Sequence, residues 1–369
     1  MINMAHEMEM NYYIHVPFCA SKCGYCAFYS ESAPGNEIQE RYLNKLFSEL
    51  ENSGNKCSTI YIGGGTPTLF NVSRLDRFLD KVCTALAADA ETEISIESNP
   101  ETLTPEKVAV LKKYVTRLST GVQSFSAEFR EILGRRCSDI QLERALGEVA
   151  SAGFRHWNCD LIYAIPGQQC ADWEKEFDCL EKYPVDHVSC YNLTWEEGAR
   201  LSSRLFPDME QVIELEEVTR SRLEKMGILQ YEVSNYARPG GECRHNQNVW
   251  RGSLLKGYGP AAAGFDGIDR QCEAADLAAW LSGAAPERDH IEPSERLNEI
   301  FAVNLRTVAG WRKRDWLAVP HADLWEERLK KARQCAAVYP GCFEITADAV
   351  KLTRNGLSFW DSIAEELLA

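Results

Sequence analysis

The sequence has no long run of apolar residues and no excess of basic residues. Its 369 residues include 40 Lys and Arg against 55 Asp and Glu, a formal net charge of −15 at pH 7. Duplex nucleic acids are bound through basic surfaces, so this acidity argues against nucleic acid as a partner. No apolar stretch approaches the roughly 20 residues that cross a bilayer. The sequence therefore predicts no transmembrane segment, and it leaves peripheral membrane contact open.

A secretory leader is also missing from the sequence. Residues Met1–Asn11 contain no basic run followed by an apolar stretch, which a signal peptide requires. We therefore expect a cytoplasmic protein, in which thiols stay reduced. The 14 cysteines are too scattered for a disulfide framework, and most are expected to be small buried side chains. Only one group of cysteines has the spacing of a ligand set.

Short β-rich runs alternate with amphipathic segments up to about residue 195. The expected strands are Tyr12–Val16, Thr59–Ile62, Glu93–Glu97, Arg117–Val122, Trp157–Tyr163 and His187–Tyr191. The segments between them are Glu37–Glu51, Arg74–Ala87, Glu106–Lys113, Gln141–Ala152 and Asp172–Lys182. This alternation predicts an α/β fold with a parallel sheet. A doubly wound open sheet also fits; we favour a partial six-unit (β/α) barrel, because reactive residue types follow so many strands.

Beyond the sixth unit the pattern changes. We expect a helix over residues 208–226, a short strand Gln230–Ser234, an ordered loop region Pro239–Gly267 and a linker at Gly283–Pro286. The remaining module is expected to be mainly helical, with a hairpin of Phe343–Thr346 and Val350–Leu352 before a final helix Asn355–Leu368, an order typical of a winged-helix-like shape. The predicted division is residues 1–235, 236–285 and 286–369.

The strongest motif is Cys19-Ala-Ser-Lys-Cys23-Gly-Tyr-Cys26, directly after the first strand. Three thiolates on one loop are soft ligands suited to an iron–sulfur cluster. Three ligands leave one iron of a [4Fe–4S] cube open to a chelating ligand. A structural zinc site needs four protein ligands; no second cysteine pair is near, and His15 lies within the expected strand. We therefore favour a cluster over zinc.

Further motifs accompany the cysteines in a fixed order. They are Tyr13-Ile-His-Val-Pro-Phe-Cys19, Gly63-Gly-Gly-Thr-Pro67, Glu97-Ser-Asn-Pro100, Gly121-Val-Gln-Ser-Phe125, Leu133-Gly-Arg135, Asp160-Leu-Ile-Tyr-Ala-Ile-Pro-Gly-Gln168, Ser189-Cys-Tyr-Asn-Leu193, His245-Asn-Gln-Asn-Val-Trp250 and Leu352-Thr-Arg-Asn-Gly356. Together they resemble the radical S-adenosylmethionine (SAM) superfamily, and within it the coproporphyrinogen dehydrogenase branch. The resemblance covers nearly the whole chain and implies a [4Fe–4S] cluster on Cys19, Cys23 and Cys26, with SAM beside it.

The same resemblance implies the SAM contacts. Its glycine-rich loop, here Gly63, Gly64, Gly65 and Thr66, would hold the methionyl amine, since backbone without side chains can approach a ligand closely. Glu97 and Asp160 end separate strands, where a carboxylate can accept from ribose hydroxyls or an ammonium. Gln123 and Arg135 resemble the ribose and carboxylate contacts of the family, and Tyr13 a further SAM contact.

One position separates two types within this branch. The dehydrogenases carry a further cysteine two residues after the third, where this chain has Phe28, and they have a longer N-terminal extension. Both differences resemble the HemW type, a haem chaperone that passes haem to apo-proteins, notably respiratory haem proteins. The alternative is a radical SAM enzyme acting on a tetrapyrrole or another conjugated substrate, as an oxidoreductase or methyltransferase. The chain's status as an enzyme stays open.

The segment His245-Asn-Gln-Asn-Val-Trp250 resembles an HNxxYW motif of the branch, with Val249 in place of Tyr. Its histidine is the candidate haem ligand, because neutral imidazole is a common axial ligand. Two other histidines of the branch are replaced here, by Ala263 and by Cys137. The resemblance further implies haem-accepting apo-proteins and an electron donor such as a flavodoxin or ferredoxin as partners. A monomer and a homodimer both fit.

Overall fold

The first half of the chain is a regular succession of strands and helices. The computed structural model describes residues 9–32, 34–50, 56–194 and 208–368. Strands β1–β6 are Met10–Val16, Cys57–Gly64, Glu93–Ser98, Arg117–Gln123, His156–Tyr163 and His187–Asn192. Helices α1–α7 are Asn36–Leu50, Val72–Ala85, Pro105–Tyr114, Ala127–Ile132, Asp139–Ala152, Cys170–Leu180 and Met209–Lys225. The six predicted strands are confirmed, each end within two residues of its expected position.

Polar side chains at the helix starts explain where several helices begin. The Asn71 side chain accepts from the backbone of Arg74 at the start of α2. Ser138 and Gln141 form a reciprocal capping box at the start of α5. These bonds satisfy backbone N–H groups that have no partner within the helix. Helices α2 and α5 therefore begin at local sequence signals.

The strands alternate between an apolar face and a polar face. Ile14, Ile60 and Ile62 are fully buried in the core that also contains residues of helices α1 and α2. The intervening residues Thr59 and Tyr61 point the other way and meet polar groups of neighbouring strands. A strand with period two exposes its faces to two different environments. Here the helices cover one face, and the other encloses a polar interior.

One mixed sheet of twelve strands organises this half of the molecule. β1 to β6 lie side by side in sequence order, and all five pairings between them are parallel. Cys19, three residues after β1, and Tyr191 and Asn192 at the end of β6 line a single cavity. Since neighbouring strands are about 4.8 Å apart, a flat sheet would hold these ends far apart. The six-strand run therefore curves around the cavity.

The region after β6 extends this sheet on both sides. Strands β7–β12 are Leu229–Gln230, Asn235–Ala237, Leu255–Tyr258, Ala263–Phe265, Asp269–Cys272 and Glu287–His290, with helices α8 (Arg244–Trp250) and α9 (Leu277–Leu281) between them. The loop region expected at 239–267 is thus wrong, because it contains α8, β9 and β10. The linker expected at Gly283–Pro286 connects α9 to β12, which pairs with β11. The domain limits themselves stay a prediction.

The C-terminal part has its own apolar core. Its elements are α10–α14 (Pro293–Asn304, Lys313–Trp316, Trp325–Val338, Arg354–Ser358 and Trp360–Leu368) and β13–β15 (Trp311–Arg312, Phe343–Ile345 and Ala349–Leu352). Buried Trp311, Trp316 and Trp325 belong to this core. The predicted hairpin is confirmed as β14 and β15. The single final helix is wrong, since it is divided at Phe359 into α13 and α14. The winged-helix-like shape stays a prediction.

Candidate functional site

A cavity of about 440 Å³ opens at the carboxyl-terminal ends of strands β1–β6. Ten of the residues singled out in the sequence line it: Cys19, Cys23, Cys26, Gly64, Gly65, Thr66, Glu97, Gln123, Arg135 and Asp160. These residues span more than 140 positions of the sequence, and the parallel strands bring them to one end of the sheet. This is the edge at which α/β proteins carry their chemistry.

The cysteine loop forms one wall of the cavity. All three thiols of the motif are free and partly buried. The loop is held by Gly24 N, which donates to Leu133 O at 3.0 Å, and by the Thr66 hydroxyl, which lies 3.8 Å from Cys19 Sγ. His15, the alternative ligand, has its Nε2 atom 3.0 Å from Tyr29 O. Its ring is therefore engaged elsewhere.

The donor set fits an iron–sulfur cluster. Three soft thiol donors meet one open cavity, and no protein disulfide consumes any of them. Within the described ranges, no three His, Cys, Asp or Glu side chains are already gathered around a common point. The sulfur atoms would therefore converge as a cluster is inserted.

The glycine-rich loop packs tightly against strand β1 and against Glu97. Gly64 has φ +97°, and a Cβ atom there would lie 2.4 Å from the His15 ring. A Cβ on Gly63 would lie 2.6 Å from the Glu97 carboxyl carbon. Only glycine fits both positions without displacement. The loop backbone can therefore approach Glu97 directly, and Gly64 N donates to Glu97 Oε2 at 2.9 Å.

Glu97 holds this loop with both carboxylate oxygens. Its second oxygen accepts from the Tyr61 hydroxyl at 2.9 Å. Burial, reinforced by the charge of Asp160, raises the pKa of Glu97 to about 7. The carboxyl group is thus poised between its two protonation states near neutral pH. Its position is fixed by the fold before any ligand binds.

Arg135 spans the end of strand β4. Its guanidinium donates to Asn99 Oδ1 at 2.9 Å and to Gly121 O at 3.1 Å. Its side chain is only 8% exposed, and its buried Nε atom has no hydrogen-bond partner among the described residues. Gln123 at the same strand end has φ +67°, a conformation that a non-glycine residue adopts at a cost. This end of β4 thus combines an unpaired buried donor with a strained backbone.

Asp160 is oriented by a hydrogen-bonded chain beneath the cavity. Ser119 Oγ donates to Asp160 Oδ2 at 2.8 Å, and Asn158 Nδ2 donates to Oδ1 at 2.7 Å. His187 Nδ1 lies 2.6 Å from Asn158 Oδ1, and His187 Nε2 lies 2.9 Å from the Tyr231 hydroxyl. Burial raises the pKa of Asp160 and lowers that of His187. The neutral imidazole donates to Asn158, which leaves the Asn158 amide to donate to Asp160.

Three of the predicted residues do not line the cavity: Tyr13, Gly63 and His245. The Tyr13 hydroxyl lies 3.1 Å from His15 Nδ1. Asn99 was not among the predicted contacts, yet it joins Thr66 to Arg135: Asn99 Nδ2 donates to Thr66 Oγ1 at 2.7 Å, and Asn99 Oδ1 accepts from Arg135. The Glu97-Ser-Asn-Pro100 motif carried this signal, but only its first residue was given a role.

His245 occupies a buried position in helix α8, so the ordered loop expected around it is wrong. It is 5% exposed. Its Nδ1 atom lies 2.7 Å from Thr59 Oγ1, and its backbone N–H donates to Glu93 Oε1 at 2.9 Å. Burial lowers the pKa of His245 to about 4. Thr59 precedes the Gly64 end of β2 by five residues, about 16 Å along a strand. The His245 ring lies 5.2 Å from the ring of Tyr61, which lines the cavity, so His245 packs behind the cavity wall without lining it.

The chain matches known proteins over its whole length. Residues 13–180 match the model of the radical SAM superfamily. The chain is 39% identical to the heme chaperone HemW of Mycobacterium tuberculosis, over 96% of this chain and 94% of that protein. It is 31% identical to the heme chaperone HemW of Escherichia coli, over 98% of each.

A solved structure confirms the α/β fold. The coproporphyrinogen III oxidase HemN of Escherichia coli superposes with a TM-score of 0.84 and 20% identity, covering 98% of this chain and 90% of that one. At this identity the likeness concerns the fold, including its large mainly parallel sheet. The HemW proteins are more than 30% identical to this chain over nearly the full length, which is a stronger relation than likeness of fold alone. The chain belongs to the radical SAM superfamily and, within it, to the HemW family.

Proposed function

We propose that this protein binds haem and passes it to haem-dependent apo-proteins, respiratory ones among them. The observation that carries the proposal is the 39% identity, over 96% of the chain, to a protein named heme chaperone HemW. Membership of the radical SAM superfamily implies a [4Fe–4S] cluster and SAM in addition. What we propose for this chain is that it binds haem, that apo-proteins accept the haem, and that particular residues make the contacts.

Cys19, Cys23 and Cys26 would hold the cluster. Bound there, a [4Fe–4S] cluster supplies an electron and one open iron for a chelating ligand. Two contacts hold the loop in place, one between Thr66 and Cys19 and one between Gly24 and Leu133. The loop therefore needs only to bring its three thiolates together.

The cavity residues would hold SAM beside the cluster. Arg135, with its unpaired Nε, suits the methionyl carboxylate. Asp160 suits the ribose hydroxyls, and the Gly63–Thr66 loop with Glu97 suits the ammonium. Asn192 also lines the cavity, and its buried Oδ1 has no partner in the part of the chain that the structure describes, which adds an acceptor for a ligand donor. The buried, unpaired polar atoms support a polar ligand in this cavity.

Cluster loading tests the first part of the proposal. Anaerobically reconstituted protein should contain about four irons per chain, as one cubane requires. Cys26→Ala should remove the iron and its brown absorbance. Cys57→Ala is the control, since Cys57 is buried in strand β2 away from the cavity. Equal iron loss in both variants would contradict the assignment.

A haem titration separates the chaperone from its alternative. The alternative is a radical SAM enzyme acting on a tetrapyrrole or another conjugated substrate, and the observation that favours it is the SAM-fitted cavity itself, which a simple carrier does not require. We expect stoichiometric haem binding, recovery of unchanged haem on transfer, and no substrate-dependent formation of 5′-deoxyadenosine. Failure to bind haem, or 5′-deoxyadenosine produced along with an altered tetrapyrrole, would favour the enzyme.

The proposed setting is the cytoplasm. All 14 cysteines lie in the described residues and none is paired in a disulfide, which suits a reducing compartment. Across the described ranges, no helix is both long and apolar enough to span a membrane. A flavodoxin or ferredoxin is the proposed electron donor. A monomer and a homodimer both stay compatible with the proposal, as does peripheral contact with a membrane.

A further inference from the structure

A second cavity adjoins the first across the cysteine loop. Its volume is about 530 Å³, and its charged lining residues are Lys22, Glu131, Arg135 and Arg136. Lys22, Arg135 and Arg136 also line the first cavity, so the two share a wall. Arg135 is committed to Asn99 and Gly121. The proposed cluster and SAM sites use no other charged group of this wall.

Two cations on this shared wall have no carboxylate partner among the described residues, and Lys22 is also near the Cys26 thiol. Neither Lys22 nor Arg136 forms an ion pair or a side-chain hydrogen bond with any described residue. One carboxylate, Glu131, lies in the same lining and is also unpaired. In a chain with a net charge of −15, two unpaired cations beside the cavity mouth are a local exception. Their positive charge attracts the carboxylates of a ligand to the cavity mouth.

An aromatic ring is exposed at the same mouth. Phe28 is 68% exposed and lines the first cavity. Phe28 lies two residues after Cys26, so it stays beside the cysteine loop. A ring left in water at a cavity mouth offers a flat apolar face to a ligand.

We propose that a porphyrin docks on this mouth, with one ring face on Phe28 and its two propionates on Lys22 and Arg136. The inference rests on the proposed function and names the surface that performs it. Haem combines a flat apolar macrocycle with two carboxylates on one edge, which matches an exposed aromatic ring beside two unpaired cations. This surface is open to solvent, so bound haem stays accessible to an acceptor protein. The contacts are also screened by salt, which favours release.

The decisive comparison uses haem and its dimethyl ester, whose carboxylates are blocked. The double variant Lys22→Glu/Arg136→Glu should bind haem roughly tenfold more weakly than the natural protein, because two charge-assisted contacts become repulsive. It should bind the ester as well as the natural protein does. Lys182→Glu is the control: this exposed lysine lines neither cavity. If the double variant binds haem as tightly as the natural protein does, or loses affinity for haem and ester equally, the proposed charge contacts are wrong.

Phe28→Ala tests the ring contact separately. It should weaken binding of haem and ester alike, by about fivefold, since the macrocycle is common to both. Ile140→Ala is the matched control, because Ile140 is an 80% exposed apolar residue in helix α5. Iron content verifies that each variant is folded. If the natural protein binds no haem, the proposed function fails; if it binds haem and these variants bind it equally well, only the docking surface fails.

Discussion

Ala261 adopts a backbone conformation that favours glycine. Its φ is +61° in the turn before strand β10. The left-handed region costs an L-residue about 1 kcal/mol or more, and glycine avoids most of that cost. Ala261→Gly should therefore stabilise the protein by about 0.5–1 kcal/mol in urea unfolding, after the larger unfolded-state entropy of glycine is subtracted.

Ala263→Gly serves as the control for this substitution. Ala263 is an exposed residue within strand β10, where glycine costs about 0.5–1 kcal/mol. The two substitutions, two positions apart, should therefore change the free energy of unfolding in opposite directions. Destabilisation by both would show that the Ala261 turn is not strained.

His245 couples stability to pH. Its pKa in the folded protein is about 4, lowered by burial, against about 6.5 in the unfolded chain. Between these two values the unfolded state binds the proton and the folded state does not, so stability falls as the pH is lowered through this window and is unaffected above it. From pH 7 to pH 5 this residue should remove about 2 kcal/mol of unfolding free energy.

The test compares urea unfolding at pH 7 and pH 5. His245→Gln should reduce the loss of stability between these two pH values. His290→Gln should not, because His290 is exposed and Asp269 raises its pKa. The haem spectrum should be the same in His245→Gln as in the natural protein, since this residue is buried behind Tyr61 and does not line the cavity. A changed spectrum would restore His245 as a haem ligand.

At the scale of elements, sequence patterns predicted the barrel strands well and the later strands poorly. β1–β6 are runs of buried residues bounded by helices, so composition and alternation both mark them. β9 and β10 are only four and three residues long and contain Gly257 and Gly264. They are stabilised by pairing with β1 and with each other, a tertiary contact that no local pattern contains. Helix α8 is short and mostly polar, so its sequence pattern predicts a loop.

The same difference between local patterns and tertiary contacts explains which site residues could be predicted. Ten strand-end and loop residues could be predicted to converge because parallel strands bring their carboxyl ends to one edge. The burial of His245 could not, since its partners Thr59 and Glu93 are 186 and 152 positions away. A motif identifies residue types and their spacing. It does not identify which end of the sheet a later helix covers.

Strands β4–β6 form the element that orients Asp160. Asn158→Asp replaces the amide donor to Asp160 with an oxygen and places two carboxyl groups side by side. Because like charges disfavour each other, the variant should raise the pKa of Asp160 further and keep it protonated to a higher pH. SAM should then bind at least about tenfold more weakly, with a loss that shrinks as the pH rises and Asp160 ionises. Calorimetric SAM titrations at pH 6 and pH 8 measure this.

Asn298→Asp provides the matched control. The Asn298 side chain accepts from Arg328 Nη1 at 2.7 Å, so a carboxylate there gains a cationic partner. SAM affinity should then be unchanged at both pH values. Equal SAM affinity in Asn158→Asp and the natural protein would mean that Asp160 does not contact SAM or does not depend on this chain of bonds.

At the scale of the whole molecule, Arg306 joins the C-terminal core to the barrel. Its guanidinium lies between the rings of Trp250 and Trp360, at 4.6 and 4.7 Å from their centres. Its Nε donates to Glu232 Oε2 at 2.8 Å, and Glu232 is fully buried. Trp250 ends the His245-Asn-Gln-Asn-Val-Trp250 segment. This motif therefore fastens the C-terminal module, while its histidine packs against the amino-terminal half of the barrel.

Removal of this cation should loosen the joint. Arg306→Ala leaves the buried Glu232 carboxylate without its cation, and breaking a buried ion pair costs about 3 kcal/mol or more. Arg354→Ala is the matched control, because Arg354 also bridges the module to the barrel, through Glu224, but as an exposed pair worth less than about 1 kcal/mol. Urea unfolding followed by tryptophan fluorescence should show a lower midpoint for Arg306→Ala and an unchanged one for Arg354→Ala. Equal midpoints in the two variants would mean that the buried pair contributes no more to the joint than the exposed one.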